Sequence, residues 1–399
     1  MKPSRTFHNP CSGALSPASD TVIQVRPRNL PDVAERVLIT GGAGFIGSHL
    51  ADELLRAGYA VRALDVLVEQ VHGDSGSQRP DYLDPEIELI PGDIRNPELV
   101  RGALEGVEAV VHLAARVGVG QSMYEQAEYA GANTLGTSIL LDALQEHPVR
   151  KLLVASSMSI YGEGAYEPAA PQERTREQLE RRDWEPRGPN GEELTPVPTP
   201  ETKEPALASV YALTKFDQER LCLLYGASYD IPTIALRLFN VYGPRQALSN
   251  PYTGVLAIFA SRLMNDKAPV VYEDGNQRRD FVHVTDAARA FRLALERDGA
   301  DGRAVNVGGG RSVSILEVAD ALAEVLGKDI APEIPGIYRA GDIRHCFADI
   351  TLARELLGFE AKAARDESLA ELAQWLETQP ATDRFDRAAE ELAERGLTR

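Results

Sequence analysis

The stretch RVLITGGAGFIGSHL, residues 36–50, decides the fold. A short apolar run, RVLIT, ends in the spacing Gly41-x-x-Gly44-x-x-Gly47, and an amphipathic pattern follows at once. This order predicts a strand, a tight turn and the start of a helix. The first glycine permits the turn, and the second lets backbone approach a pyrophosphate. The third lets helix and strand pack closely, and the helix N-terminus faces the phosphates. Phe45 and Ile46 belong to that first helical turn and are grouped with the three glycines as dinucleotide-binding. With 33 glycines in the chain, the spacing alone is weak; its position between strand and helix gives it force.

Outward from this stretch, short apolar runs alternate with helical patterns. RVLIT (36–40), YAVRALD (59–65), EAVVHLAA (108–115), KLLVASS (151–157), TIALRLFN (233–240) and RAVNVGG (303–309) read as buried parallel strands. GSHLADELLRAG and NTLGTSILLDALQEH read as helices between them. The alternation predicts an α/β fold, a doubly wound parallel sheet of Rossmann type, with a smaller mixed α/β domain beside it. Asp65 ends the second strand, 24 positions beyond Gly41. An acid there accepts hydrogen bonds from the adenosine ribose and repels a 2′-phosphate, so the cofactor is expected to be NAD rather than NADP. Asp65 as a plain turn-starting aspartate is the competing reading. GDIRN (92–96) follows a third strand and places Asp93 and Ile94 beside the adenine; a simple turn accounts for the pattern nearly as well.

The chain has 399 residues, 43% of them hydrophobic, and a formal net charge of −18. That length suits about two domains. The charge repels nucleic acid and anionic membranes, so neither is expected as a partner. Cys11, Cys222 and Cys346 have no metal-ligand spacing, and no metal site or disulfide is expected. No apolar run approaches the roughly 18 residues of a membrane span. A reducing cytoplasm is the simplest compartment.

Residues 1–34, polar and holding five prolines, read as a flexible extension. Residues 35–240 read as the NAD-binding domain. Residues 163–207, rich in Pro, Glu and Arg, interrupt it as an inserted surface loop in the place of a lid. Residues 241–380 read mainly as a substrate-binding domain, with about 281–300 returning to the first domain. Residues 381–399 close the chain as a helical tail.

The run KLLVASS leads into SSMSIYG, an apolar strand finishing in hydroxyls, and SVYALTK places Tyr211 and Lys215 four apart on one helical face. Chance alone supplies about 0.2 such pairs in this composition, so the pair gains weight only behind a dinucleotide fold. A free tyrosine has a pKa of about 10 and is a poor base. A lysine ammonium and an oxidised nicotinamide would favour the phenolate; bringing the phenol to near 7 takes about 4 kcal/mol. Tyr211 could then take a proton from a sugar hydroxyl as hydride leaves its carbon, while Ser157 holds the same oxygen.

Together TGGAGFIGSH, HLAA, SSMSIYG, YALTK, LRLFNVYGPR and RRDFVHVTD resemble the extended short-chain dehydrogenase/reductase superfamily, in its nucleotide-sugar epimerase/dehydratase branch, over about 34–380. The resemblance implies tightly held NAD and a nucleotide-sugar substrate that is oxidised and then reduced before release. It implies catalytic roles for Ser157, Tyr211 and Lys215, and a cofactor wall that includes Leu113, Ala114, Ala115 and Asn133. On the substrate side it implies Asn240 and Arg279 at the pyrophosphate, Arg339 at a phosphate and Asp342 toward the nucleoside ribose. As residues alone, Arg279 and Arg339 also read as solvated charge, and Asn133 and Asn240 as helix or turn residues. Family members pair through two helices per subunit, which implies a homodimer through stretches near 122–146 and 209–229.

AARVGVGQSMYE (114–125), the insertion and GPRQALSNPYTGV resemble the dTDP-L-rhamnose 4-epimerases within the branch. The insertion holds no cysteine, so it carries no metal staple. Sugar-nucleotide dehydratases and certain decarboxylases of the branch carry an acid just after the catalytic hydroxyl. Here those positions are Met158 and Ser159, which cannot protonate a leaving hydroxide. Asp65 disfavours reductases that exchange NADPH. Epimerisation at C4 is the expected reaction, with dTDP-L-rhamnose and dTDP-6-deoxy-L-talose as the substrate pair and UDP- or GDP-sugars as alternatives. A non-catalytic NAD-binding regulator has no reason to keep Ser157, Tyr211 and Lys215 together.

Overall fold

The computed structural model describes residues 34–72, 78–246, 254–339, 342–378, 394–395 and 398. The N-terminal extension up to residue 33, most of the 381–399 tail and residues 247–253 lie outside them. Along the chain run β1 (Arg36–Thr40), β2 (Ala60–Asp65), β3 (Glu88–Pro91), β4 (Ala109–His112), β5 (Lys151–Ser157), β6 (Ala165–Glu167) and β7 (Thr195–Val197). They are followed by β8 (Thr233–Leu238), β9 (Asn240–Tyr242), β10 (Arg278–His283), β11 (Ala304–Val307), β12 (Ser312–Ser314) and β13 (His345–Cys346).

Seven strands form one parallel sheet in the order β11-β8-β5-β4-β1-β2-β3. Every residue of β4, β5 and β8 is buried, because helices cover both faces. The period of two sorts the side chains between them. Val37 and Ile39 face the layer of helices Phe45–Arg56 and Val284–Glu296, packed through Leu50, Leu54 and Phe291. Leu38 faces helices Pro97–Leu104, Gly136–Glu146 and Val210–Tyr229, packed through Val100, Leu140 and Cys222. The strand order turns back between β1 and β4, which opens a crevice at their C-terminal ends.

After β8 only Phe239 intervenes before β9, which leaves the large sheet and pairs in parallel with β10. Strand β10 also pairs with β12 and β13, making a second sheet of four strands. Asp280, fully buried on β10, accepts hydrogen bonds from Gly309 N (2.6 Å) and Gly310 N (3.0 Å). Burial pushes its carboxyl up to about 7, against the pull of those backbone donors. Helix Val284–Glu296 then packs beside helix Phe45–Arg56 on the large sheet. Helix Arg365–Glu377 buries Leu369, Leu372 and Leu376 against Leu256, Phe259 and Leu322.

The 163–207 insertion is more than the surface loop its composition implies. It contains the antiparallel pair β6–β7 and helix Arg176–Glu180, capped by Thr175. Tyr166, Leu179, Trp184 and Thr199 are buried. Arg174 pairs with Glu273 in the interior, and Glu163 accepts from Arg344 N and His345 N, so a polar composition is compatible with a fixed structure.

Candidate active site

A cavity of ≈ 570 Å³ lies at the C-terminal ends of the central strands. Its cofactor half is made largely by backbone. Gly41 has φ +71°, and a Cβ there would stand 2.9 Å from Ala114 N. At Gly47 a Cβ would come within 2.2 Å of Gly41 O, so only hydrogen fits between turn and helix. No side chain caps the N-terminus of helix Phe45–Arg56; its first residues, Phe45, Ile46 and Gly47, line the cavity with Gly41 and Gly44. Such an end offers N–H groups and positive potential to phosphate. Asp65, 8% exposed, accepts from Ala43 N (3.0 Å) on one oxygen and from Leu67 N (2.9 Å) on the other. A carboxylate has about four acceptor positions, so both oxygens keep capacity for a ribose diol. These residues fit a dinucleotide.

Asp93, Ile94, Leu113, Ala114 and Ala115 also line the cavity. The bond from Arg95 holds the Asp93 carboxyl below its ordinary pKa. Asn133 is not among the wall residues. It is fully buried, accepts from Arg116 N (2.7 Å) and donates to Arg116 O (3.1 Å) and Thr214 Oγ1 (2.9 Å). It thereby ties the segment after β4 to the helix that carries Tyr211.

Ser157 ends β5, and its oxygen accepts from Ser159 N (3.2 Å) and Ser159 Oγ (2.9 Å). Its own proton is therefore left for another partner. Tyr211 and Lys215 stand one turn apart on helix Val210–Tyr229, and both line the cavity with Ser157. Ser209 caps that helix, and Ser122 Oγ accepts from Tyr211 N (3.0 Å). The ring of Tyr129 meets that of Tyr211 edge-on at 6.5 Å.

Burial dominates the electrostatics of the pair. Burial raises the Tyr211 phenol above its ordinary pKa, and a hydrogen bond with Ser157 opposes the rise. Lys215 is held from its own helix. Its ammonium, 3% exposed, donates to Gln218 Oε1 at 2.6 Å, and burial lowers it to about 8. Gln218 Nε2 in turn donates to Ala114 O (3.1 Å) and Thr137 Oγ1 (3.0 Å), which aims the amide oxygen at the lysine. Glu219 and Cys222 face Lys215 from its own helix and His112 from β4. Burial lowers His112 to about 3, so its ring is neutral.

On the substrate side, Asn240, Arg279 and Asp342 line the cavity. Arg339 is not among the wall residues; its guanidinium stacks over Tyr272 at 4.8 Å, with Nε 3.7 Å from Asp342. Two side-chain oxygens in the wall, Asn240 Oδ1 and Gln246 Oε1, are buried without a hydrogen-bond partner among the described residues. Buried amide oxygens in that condition await a donor, such as a hydroxyl. Gln246 had escaped the sequence reading; its signal was an amide directly after VYGPR. Gln218 had escaped too, although it falls one turn beyond Lys215.

The sequence model of the family described as NAD dependent epimerase/dehydratase matches residues 37–308. Among curated relatives, the dTDP-L-rhamnose 4-epimerase of Burkholderia thailandensis is 35% identical over 353 residues, covering 86% of this chain and 95% of that one. Among solved structures, the UDP-glucose 4-epimerase of Thermotoga maritima with UDP-glucose superposes with TM-score 0.72 at 30% identity, over 86% of this chain and 98% of that chain. The UDP-glucose 4-epimerase of Thermus thermophilus in complex with NAD gives TM-score 0.69 at 30% identity, over 86% and 100%. The chain described here is a member of the NAD dependent epimerase/dehydratase family.

Proposed function

We propose that the protein inverts C4 of a nucleotide-activated sugar through a transient 4-keto intermediate, with dTDP-L-rhamnose and dTDP-6-deoxy-L-talose as its substrate pair. One observation carries the choice of reaction. Met158 and Ser159 follow Ser157 in the cavity wall, and neither can protonate a leaving hydroxide. NAD, when bound, supplies the acceptor and donor of hydride at C4 and a positive charge on its oxidised ring. Tyr211, as phenolate, takes the proton of the C4 hydroxyl and later returns it to the ketone oxygen. Ser157, its oxygen already occupied by Ser159, keeps its proton for Tyr211 or for the substrate oxygen. Gln218 holds Lys215 beneath them. The likeness to the Burkholderia enzyme supports the sugar pair. The likeness to UDP-glucose 4-epimerases favours a second reading, a UDP-sugar substrate.

A panel of dTDP-, UDP- and GDP-sugars, incubated without added cofactor and read by NMR, separates these readings. The expected product is the C4 epimer of a dTDP-sugar. A UDP- or GDP-sugar epimer moves the base assignment, and a dehydrated or decarboxylated product ends the epimerase reading.

The proposed assembly is a homodimer. Leu213 and Leu224, 46% and 55% exposed on helix Val210–Tyr229, fall on one side of it at a spacing of eleven. Leu135 is 53% exposed ahead of helix Gly136–Glu146. A monomer in sedimentation would refute the dimer. No helix among the described residues is long and apolar enough to cross a membrane. Cys222 and Cys346 are free and buried, which suits a reducing cytoplasm.

A further inference from the structure

Three segments far apart in sequence meet behind the substrate wall of the cavity: the insertion, the turn before β10 and the approach to β13. Arg174 of the insertion, its side chain 5% exposed, lies among them. Its Nη1 donates to Trp184 O (3.1 Å) and Glu273 Oε1 (2.7 Å), and its Nη2 donates to Asp342 O (2.7 Å). The next two carbonyls, of Ile343 and Arg344, accept from the guanidinium of Arg279. Two guanidiniums, one from the insertion and one from β10, thus hold three consecutive carbonyls in place. Asp342, Ile343 and Arg279 are themselves cavity wall. Behind them Arg344, 1% exposed, bonds Glu273, Asp274 and Glu185 of the insertion. Trp184 packs on Tyr338 with ring centroids 6.3 Å apart.

We infer that Arg174 is a positioning residue for the nucleotide-diphosphate end of the substrate, and that the insertion is a fixed brace rather than a moving lid. This rests on the proposed function, which puts Arg279 and Asp342 at that end. A guanidinium has five donors in a rigid fork, so one side chain can satisfy a carboxylate and two carbonyls together. Without it, Asp342 O and Glu273 Oε1 lose this donor in the interior, while Glu273 Oε2 keeps Arg344, and the segment carrying Asp342 loses its anchor. Tyr211 and Lys215 stand apart from it on helix Val210–Tyr229, bonded to Ser122, Ser157 and Gln218. The loss therefore falls on substrate grip and leaves the chemical step alone. A gating lid would instead change turnover.

The test compares Arg174→Gln, Arg174→Lys and the unaltered full chain. It measures binding of dTDP and of UDP by calorimetry, steady-state kinetics on the epimerised sugar nucleotide, and retained NAD. In Arg174→Gln the nucleoside diphosphate Kd and the substrate KM are expected to rise together by about 10-fold, the cost of a buried hydrogen bond to a charged group. Turnover and retained NAD stay within twofold. Arg174→Lys falls between, since an ammonium reaches Glu273 but cannot also hold Asp342 O, and it serves as the test should the glutamine variant not fold. Unchanged diphosphate affinity in a folded variant overturns the inference, as does lost turnover at unchanged KM. Neither diphosphate binding the unaltered chain overturns it too. If a diphosphate binds, and binds more weakly to the variant, but no sugar is epimerised, the brace stands and the epimerase reading falls.

Discussion

The two halves of the cavity are built by opposite means. In the cofactor half, backbone meets backbone: Gly41 against Ala114, Gly47 against Gly41, and Asp65 bonded to two main-chain N–H groups two and 22 residues away. In the substrate half, side chains meet across long separations, Arg174 with Glu273 over 99 residues and Arg344 with Glu185 over 159. A site made of local backbone tolerates almost no added atom, whereas one made of paired side chains gives way by degrees. Ser157, Tyr211 and Lys215, the proposed catalytic trio, sit between them, and the size of each mutational effect should follow that division.

The largest effect belongs to the trio. Tyr211→Phe is expected to lower turnover by about 10²–10⁴-fold, the range for losing a general acid–base group, with NAD content unchanged in the purified protein. Near-normal turnover would take Tyr211 out of the mechanism. Gly47→Ala comes next and strikes the cofactor half, because its methyl has 2.2 Å where Gly41 O stands. Overpacking of that kind costs about 1–3 kcal/mol and should show as a lower melting temperature and lost NAD. A variant that keeps both would break the contrast between the halves.

Gln218→Leu should act more gently, through Lys215. Burial has already brought that ammonium down to about 8, and removal of its acceptor draws it lower still. The ammonium is then lost at a lower pH, so the alkaline limb of kcat/KM moves toward neutrality. An unmoved limb would show that Gln218 does not govern the lysine. Glu185→Gln, in the substrate half, should be smallest at neutral pH, under about 1 kcal/mol for so exposed a partner. Burial raises the Glu185 carboxyl, but the bonds from His345 and Arg344 outweigh it and bring it down to about 2. Its contribution is thus complete above the ordinary carboxylate range and fades as pH falls toward 2. Melting curves should show that acid-side slope diminished in Glu185→Gln; identical slopes would exclude the residue as its source.

The same division marks what could be read from sequence. Strands β1 and β5 match their apolar runs residue for residue, and the glycine spacing led directly to the crevice, because apolar patterning and backbone tightness are written locally. Ser157, Tyr211 and Lys215 were legible as types that chemistry needs at a strand end and on one helix face. The state of Tyr211 was not: its burial and the capture of Lys215 by Gln218 depend on packing between a helix and β4. Asn133 and Arg339 were placed by motif, yet motif says nothing of where an amide or a guanidinium ends up. The insertion misled because Pro, Glu and Arg read as solvated unless their partners are known, and those partners lie up to 182 residues away, as with Glu163 and His345.

The passage from β8 to β9 through the single residue Phe239 has a mechanical consequence. Leu238 closes a rung of the seven-stranded layer, and Asn240 opens one against Phe281 in the other. With one residue between those rungs there is no slack for a hinge. A force applied at Asn240 is therefore passed to both sheets at once.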